Sequence, residues 1–428
     1  MNFTEFKLNS EILSGIQAEG YQVATPIQAK AIPAILQGQD VVGLAQTGTG
    51  KTAAFALPLL QRLMAGPKGQ LRALILAPTR ELTDQICSSI AKLGSKTGLR
   101  CATIYGGKVN YIEQYRSLRA GTDIVVACPG RLLDLFQGGK SKRQNVNLQH
   151  IEMLILDEAD HMFDLGFREP IYDILQYLPK QRQNLLFSAT MSDDIRLLAD
   201  KILNNPVSIK IGDSAPANTV TQTVFPISEA LKTDLLEAIL QNNSVQSAII
   251  FTRTKHRAKR LADHLGGLGY KATSFQGNLS QSKRKIALNK FRRGELTFLV
   301  ATDIAARGID IDHISHVINF DMPNTAIDYT HRIGRTGRAS KLGAAFSLIT
   351  NGDRRQIRSI EHLLKKRLQE CILPNFDYKA KTKAPAELST ADRPRQFSYA
   401  QQNFSHRKPK PRANYQKSYT GRTRKTGD

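Results

Sequence analysis

Cysteine is scarce in this chain and poorly placed for any framework. Only Cys87, Cys101, Cys128 and Cys371 occur among 428 residues, with no C-x-x-C spacing. That pattern argues against a zinc site or a disulfide scaffold and suits a reducing cytoplasm. No apolar run approaches the roughly twenty residues of a membrane span. The opening residues, Met1-Asn2-Phe3-Thr4-Glu5-Phe6, show no basic stretch followed by an apolar one, so no secretion signal and no membrane partner are expected. Acidic residues are short as well: 37 Asp and Glu stand against 60 Lys and Arg, a net charge of +23. Such an imbalance favours a polyanionic partner, nucleic acid first.

The excess charge is uneven. Residues 379–428 hold thirteen Lys and Arg against Glu387, Asp392 and Asp428, a net of +10. This stretch is poor in aliphatics, with Phe397, Tyr399, Phe404, Tyr415 and Tyr419 spaced among the cations. It cannot bury enough apolar surface to fold, and its cations and rings suit a disordered, sequence-tolerant RNA-binding tail.

The chemistry gathers at Ala45-Gln46-Thr47-Gly48-Thr49-Gly50-Lys51-Thr52. An apolar run, Asp40-Val41-Val42-Gly43-Leu44, precedes it and a helix-compatible run follows. In such a strand–turn–helix unit, successive backbone N–H groups and the positive helix end cradle phosphate oxygens. Lys51 would reach the β- and γ-phosphates, and the Thr52 hydroxyl would hold Mg²⁺. The strict pattern begins with Gly, where this chain has Ala45. A second signal comes from the buried run Met153-Leu154-Ile155-Leu156, which ends in Asp157-Glu158-Ala159-Asp160. Carboxylates at the C-terminal end of such a strand sit where open α/β sheets bind ligands. Asp157 would ligate Mg²⁺, and Glu158 would orient or deprotonate an attacking water.

Other short apolar runs at 73–77, 123–127 and 184–187 alternate with helical patterns and end in polar or Gly/Pro clusters. They predict one parallel sheet, covered on both faces, whose C-terminal edge is the binding face. Val207 to Ile211 reads as a closing strand. The turn-rich segment 212–219 reads as a linker. The second half repeats the architecture, with strand candidates at 248–251, 272–275, 298–301, 316–320 and 344–349, but has no Gly-rich Lys-Thr loop. Its groups for a shared nucleotide would come from His331-Arg332-Ile333-Gly334-Arg335-Thr336-Gly337-Arg338, since guanidinium groups suit γ-phosphate charge in a transition state. Read alone, that segment is equally a solvated basic turn. Near the N-terminus, Thr25 caps a helix beginning at Pro26. A glutamine amide such as that of Gln28 can read N6–H and N7 of adenine, though alone it is simply polar. The residues 363–368 end the last helical pattern.

These motifs, in this order over residues 1 to about 375, resemble those of a DEAD-box ATP-dependent RNA helicase of bacterial type. The resemblance implies an α/β fold of two tandem RecA-like domains: residues 1–211, the linker 212–219, and residues 220–378, followed by the basic tail. It implies ATP and Mg²⁺ as cofactors and RNA, single-stranded or short duplex, as partner. Ala45 is the family's usual variant, and Phe3 matches its isolated upstream aromatic. Nucleotide contacts fall to Tyr21, Thr25, Gln28, Gln46, Thr47, Gly48, Thr49, Gly50, Lys51, Thr52, Gly308 and Asp310, with metal at Thr52 and Asp157. Catalysis falls to Lys51, Asp157, Glu158, Arg335 and Arg338. Coupling of hydrolysis to strand separation falls to Asp160, Ser188, Thr190 and His331. Pro78, Thr79, Arg80, Gly107, Gly130 and Arg131 on the first domain, with Gly277, Arg284, Thr302 and Arg307 on the second, would grip the RNA backbone. Cys128 stands where the family usually has Thr, which removes one hydroxyl from that grip, and Asp84 follows Thr83 where the family often has Ala and then a small or polar residue. Rival readings are a ribonucleoprotein remodeller that uses the same residues, an RNA-annealing or RNA-binding protein with a vestigial ATPase, and a DNA helicase. Protein partners from ribosome assembly or RNA decay stay open.

Overall fold

A computed structural model describes residues 1–46, 48–107, 111–137, 147–211, 220–242, 245–306, 314–337 and 342–379, without the side chains of Tyr111 and Asn242. The linker 212–219, almost all of the basic tail, and the candidate residues Thr47, Arg307, Gly308, Asp310 and Arg338 lie outside them.

The first half builds a seven-stranded sheet from β1 (Val41–Leu44), β2 (Ala73–Leu76), β3 (Cys101–Ile104), β4 (Ile124–Ala127), β5 (Met153–Leu156), β6 (Gln183–Ser188) and β7 (Val207–Lys210). Their order is β3-β4-β2-β5-β6-β1-β7, and every pairing is parallel. A parallel sheet is covered on both faces, so its interior strands need apolar side chains in both directions. Those of β2, β4 and β5 are fully buried, whereas the edge strand β7 alternates. One helical layer packs Phe55 against Phe187 of β6, ring centroids 5.5 Å apart. Gly43 in β1 makes room for that ring, because a Cβ there would stand 2.6 Å from it.

The second half builds another all-parallel seven-stranded sheet: β8 (Val220–Pro226), β9 (Ala248–Phe251), β10 (Ala272–Phe275), β11 (Phe298–Ala301), β12 (His316–Asn319), β13 (Gly343–Ile349) and β14 (Gln369–Glu370). Its order, β10-β11-β9-β12-β13-β8-β14, repeats that of the first sheet strand for strand. The protein is thus a tandem of two RecA-like domains.

Three strands escape the sequence patterns. β3 has a mixed-polarity sequence on an edge, β8 carries Thr221, Gln222 and Thr223, and β14 is two residues long. The last helical pattern also stops sooner than its sequence suggests. The helix Arg354–Leu364 ends where Lys365 adopts φ 50°, so residues 365–368 lie beyond it. Among the described residues no helix is long and apolar enough to cross a membrane.

Candidate active site

Because both sheets are parallel, the polar clusters that end their strands gather at one edge of each. After β1 the chain turns through Gly48 and Gly50, both at positive φ, into the helix Lys51–Met64. Gly50 at φ +91° adopts a backbone an L side chain resists. The Lys51 ammonium is buried and donates to the Ala45 carbonyl at 2.9 Å, bracing the loop from within. The helix Pro26–Leu36 begins at Pro26 behind Thr25, as its sequence predicts. Gln28 on its first turn is buried; its Oε1 accepts from the Thr25 N–H at 2.9 Å and its Nε2 donates to the Gly50 carbonyl at 3.1 Å. One N–H and one lone pair of that amide remain for a base edge. Tyr21, two-fifths exposed, lies beside the buried Phe3, ring centroids 6.1 Å apart.

Past β5, Asp157 is wholly buried. Burial pushes its carboxyl up to about 6 against the pull of Lys51, with Glu158 and Asp160 adding to the rise. Glu158 sits at φ 53°, a conformation uncommon for a side chain of its kind. Burial alone would raise its carboxyl too. The hydrogen bond from His161, 3.3 Å away, and the charges of His161, Lys51 and Arg335 win, and hold it well below the usual carboxylate range. Asp160 turns toward β6: its Oδ2 accepts from both the N–H and the hydroxyl of Thr190 at 2.9 Å, and its own N–H donates to the Ser188 hydroxyl at 3.3 Å.

The second domain completes this cleft. Lys51, Glu158, Asp160, His161 and Ala189 share a cavity of about 10 Å³ with His331 and Arg335. A larger one of about 530 Å³ adjoins, lined among others by Gln46, Thr190 and His331. Arg335 is buried at the end of the helix Ala326–Ile333. Its neighbour Arg332 is turned inward. Nε and Nη2 pair with Asp303 at 2.6 and 2.7 Å, Nη1 donates to the Asn319 side chain and the Asp321 carbonyl, and the guanidinium lies over Phe251. Arg332 therefore fixes the helix that presents Arg335. Its sequence neighbourhood of arginines does not distinguish the two roles; the surroundings do, since Arg332 is paired with Asp303 and Arg335 lines the cleft.

The residues assigned to the nucleic-acid grip gather at the C-terminal ends of β2, β3 and β4. Thr79 caps the helix Arg80–Leu93, its hydroxyl accepting from the Leu82 N–H, with Pro78 just ahead. The Arg80 guanidinium fills the space a Cβ on Gly107 would need, at 2.4–2.5 Å. Gly130 and Arg131 open the helix Pro129–Phe136, where Arg131 stands 3.7 Å from Asp134. Cys128 precedes that helix, buried, its thiol 3.5 Å from the Thr83 hydroxyl and pushed by burial up to about 12. On the second domain Gly277 follows β10 with open space where a Cβ would stand, and Thr302 follows β11. Arg284 is placed differently from its neighbours in that set. It is buried against Glu81 of the first domain, Nε to Oε1 2.7 Å, and lies over Phe275. An RNA contact by Arg284 would require that pair to part. His161 did not stand out in the sequence, and Glu81 and Arg332 lay inside segments singled out there without a role of their own, although His161 lies one helical turn from Glu158, a spacing that brings side chains together.

A phosphate loop after β1, acids after β5 and an arginine from a second sheet define a phosphate-loop nucleoside triphosphatase of two RecA-like domains. The chain matches the DEAD/DEAH box helicase domain over residues 25–198 and the helicase conserved C-terminal domain over residues 231–340. It is 41% identical over 376 residues to the DEAD-box ATP-dependent RNA helicase CshA of Geobacillus kaustophilus, covering 88% of this chain and 79% of that one. Its fold is similar to that of S. cerevisiae Dbp5 bound to RNA and ADP BeF3, with a TM-score of 0.78, 31% identity and coverage of 86% and 95%. It is also similar to Mss116p bound to ssRNA and AMP-PNP, with a TM-score of 0.76, 29% identity and coverage of 87% and 79%. This chain belongs to the DEAD-box ATP-dependent RNA helicases.

Proposed function

We propose that this helicase couples RNA-stimulated ATP hydrolysis to local separation of short RNA duplexes, by closing its two domains around both ligands. The observation that carries this reading is the shared cleft in which Lys51 and Glu158 of one sheet face Arg335 of the other. Lys51 exchanges the Ala45 carbonyl for the β- and γ-phosphates, and Gln28 and Tyr21 hold the adenine. The donor set suits Mg²⁺, which binds through one or two carboxylates together with substrate phosphates: Asp157 supplies a carboxylate and Thr52 a hydroxyl. When bound, the ion neutralises charge on the phosphates and favours the ionised form of Asp157. Glu158, held so far below the usual range, is a weak proton acceptor until phosphate oxygens offset Lys51 and Arg335, so its first task is to orient the water. Arg335, with Arg338, stabilises charge on the transferred phosphoryl group.

Closure links the two ligands, because each touches both domains only then, and so each raises the affinity for the other. Arg80, Gly107, Gly130 and Arg131 hold the backbone of one strand on the first domain, and Gly277 and Thr302 on the second. The bonds from Asp160 to Ser188 and Thr190 relay the state of the phosphates toward that grip. The basic tail adds sequence-tolerant RNA affinity, and the chain works in the cytoplasm.

Steady-state ATPase rates with and without single-stranded RNA, beside DNA of the same sequence, test this directly. Stimulation by RNA and not DNA is expected, abolished by Glu158→Gln. Truncation after Tyr378 is expected to raise the RNA concentration at half-saturation. Equal rates with and without either nucleic acid would sink the closure mechanism.

A further inference from the structure

The two sheets share one strand order, so each feature of the nucleotide site has a counterpart in the second domain. β8 corresponds to β1 and β12 to β5. Lys51 opens the helix after β1, and Lys232 opens the helix Lys232–Asn242 that follows β8. Lys51 acts electrostatically on Asp157, just past β5. Lys232, fully buried, pairs at 3.4 Å with Asp321, just past β12. The second domain thus keeps the lysine and the aspartate of a phosphate site but has no glycine loop. Instead Glu229 places a carboxylate 3.0 Å from the Lys232 ammonium, and Arg257 closes over both acids at 2.6 Å from Glu229 and 3.1 Å from Asp321. A carboxylate of the chain occupies the place of a phosphate. That interior is satisfied and closed to a nucleotide.

Immediately outside it, at the ends of β8 and β13, lies a cavity of about 1,220 Å³. Crevices at this point of an open α/β sheet are the ordinary place for ligands. Arg354, Arg358 and Arg367 line it, all exposed. Among the described residues none of the three guanidinium groups is held by an ion pair or hydrogen bond. The acids on the same wall do not balance them. Glu229 is taken by Lys232 and Arg257, Glu361 accepts from the Leu368 N–H, and only Glu370 is exposed without such a tie. Residues 354–367 carry six Lys and Arg against Glu361 alone. Tyr378, one residue before the last described position, also lines the cavity.

We propose that this pocket binds the phosphate backbone of RNA flanking the segment held in the cleft. Three arginines on one helix and the turn directly after it, in an open site, match repeated phosphodiesters better than one compact phosphoryl group. The site lies on the edge of the sheet that carries Gly277 and Thr302. It is three to four strands away from β11, about 15–20 Å at the usual strand spacing. RNA leaving the cleft along that edge meets the arginines.

The proposal rests on RNA-stimulated hydrolysis, and the test separates the two. The full-length chain and its Arg354→Gln/Arg358→Gln/Arg367→Gln variant are titrated in the ATPase assay with two RNAs. One is a single strand just long enough to stimulate hydrolysis; the other is the same strand extended on either side. For the extended RNA the variant should need roughly tenfold more to reach half-saturation, and its salt slope should fall by about 2, as three lost phosphate contacts on a single strand require. The short RNA should give one curve for both proteins. A triple Arg→Lys variant, which keeps the charges, should restore most of the salt slope, and thermal melting should show all forms folded. An equal loss on short and extended RNA would place the arginines in the core grip and overturn the proposal. Unchanged titrations would overturn it too, whether inorganic polyphosphate then protects the pocket or an acidic peptide does. Absence of stimulation by either RNA in the unaltered protein would instead refute the proposed function.

Discussion

Arg284 and Glu81 meet across the interdomain cleft with Nε 2.7 Å from Oε1, both side chains less than one-tenth exposed. Gln281 donates to the same Glu81 oxygen at 3.4 Å, and Arg284 also donates to the Ala305 carbonyl. A buried pair between domains acts as a latch. Breaking it leaves a charge unpaired in the closed form, while in an open form water would solvate it. Glu81→Gln should disfavour closure by about 2 kcal/mol, read as a lower closed fraction by energy transfer between dyes on the two domains. Exchange to Glu81→Arg/Arg284→Glu should recover part of the loss. Failure of the exchange together with a large loss in Arg284→Glu alone would identify Arg284 as an RNA contact instead.

The elevated Asp157 carboxyl makes a stability prediction with a definite sign. A folded value of about 6 against an ordinary 3.8 means that ionisation opposes folding. The penalty is fully present above the folded value, declines as pH falls through it, and vanishes below the unfolded one. Asp157→Asn should therefore stabilise the nucleotide-free protein near neutral pH by about 3 kcal/mol while abolishing hydrolysis. The gain should disappear in denaturation curves taken below the ordinary Asp value. A gain independent of pH would mean packing, not charge, is responsible.

Arg332 and Arg335, three residues apart, should fail differently. Arg332→Leu leaves Asp303 without its partner and strips a donor from Asn319, so the second domain should lose about 3–5 kcal/mol. Arg335→Lys should melt with the unaltered protein yet hydrolyse ATP far more slowly at saturating RNA. Equal melting of both variants would refute the division of labour.

Cys128 stands at the cap position of the helix Pro129–Phe136 with no side-chain cap bond. Cys128→Thr should add about 1 kcal/mol by capping and return a hydroxyl to the RNA face, seen as a higher melting temperature and tighter RNA binding. With its thiol pushed up to about 12, Cys128 should resist alkylation in the native protein at neutral pH. Rapid labelling there would show that the helix start opens readily.

Much of this was legible from residue order. Interior strands of a parallel sheet are short apolar runs, and the loops that end them must be polar, so β1, β2, β4, β5 and β6 and their clusters were readable without coordinates. The motif spacing placed Lys51, Asp157 and Glu158 at one edge of one sheet. β3, β8 and β14 were not readable, because β3 is a mixed-polarity edge strand, β8 carries Thr221, Gln222 and Thr223 in a row, and β14 is only two residues long, so none presents an apolar run.

By itself, the sequence determined two parallel-sheet domains, a phosphate loop with acids beside it, and an unbalanced positive charge, because these depend on local pattern and composition. Only the tertiary structure decided which arginine does what. Arg332, Arg335, Arg284 and Arg354 are chemically identical, and the chain around each is similarly basic. Pairing with Asp303, a buried place on the cleft wall, pairing with Glu81 and exposure in an open pocket separate them. Each of those environments is assembled from segments far apart in the chain, so no local pattern records it.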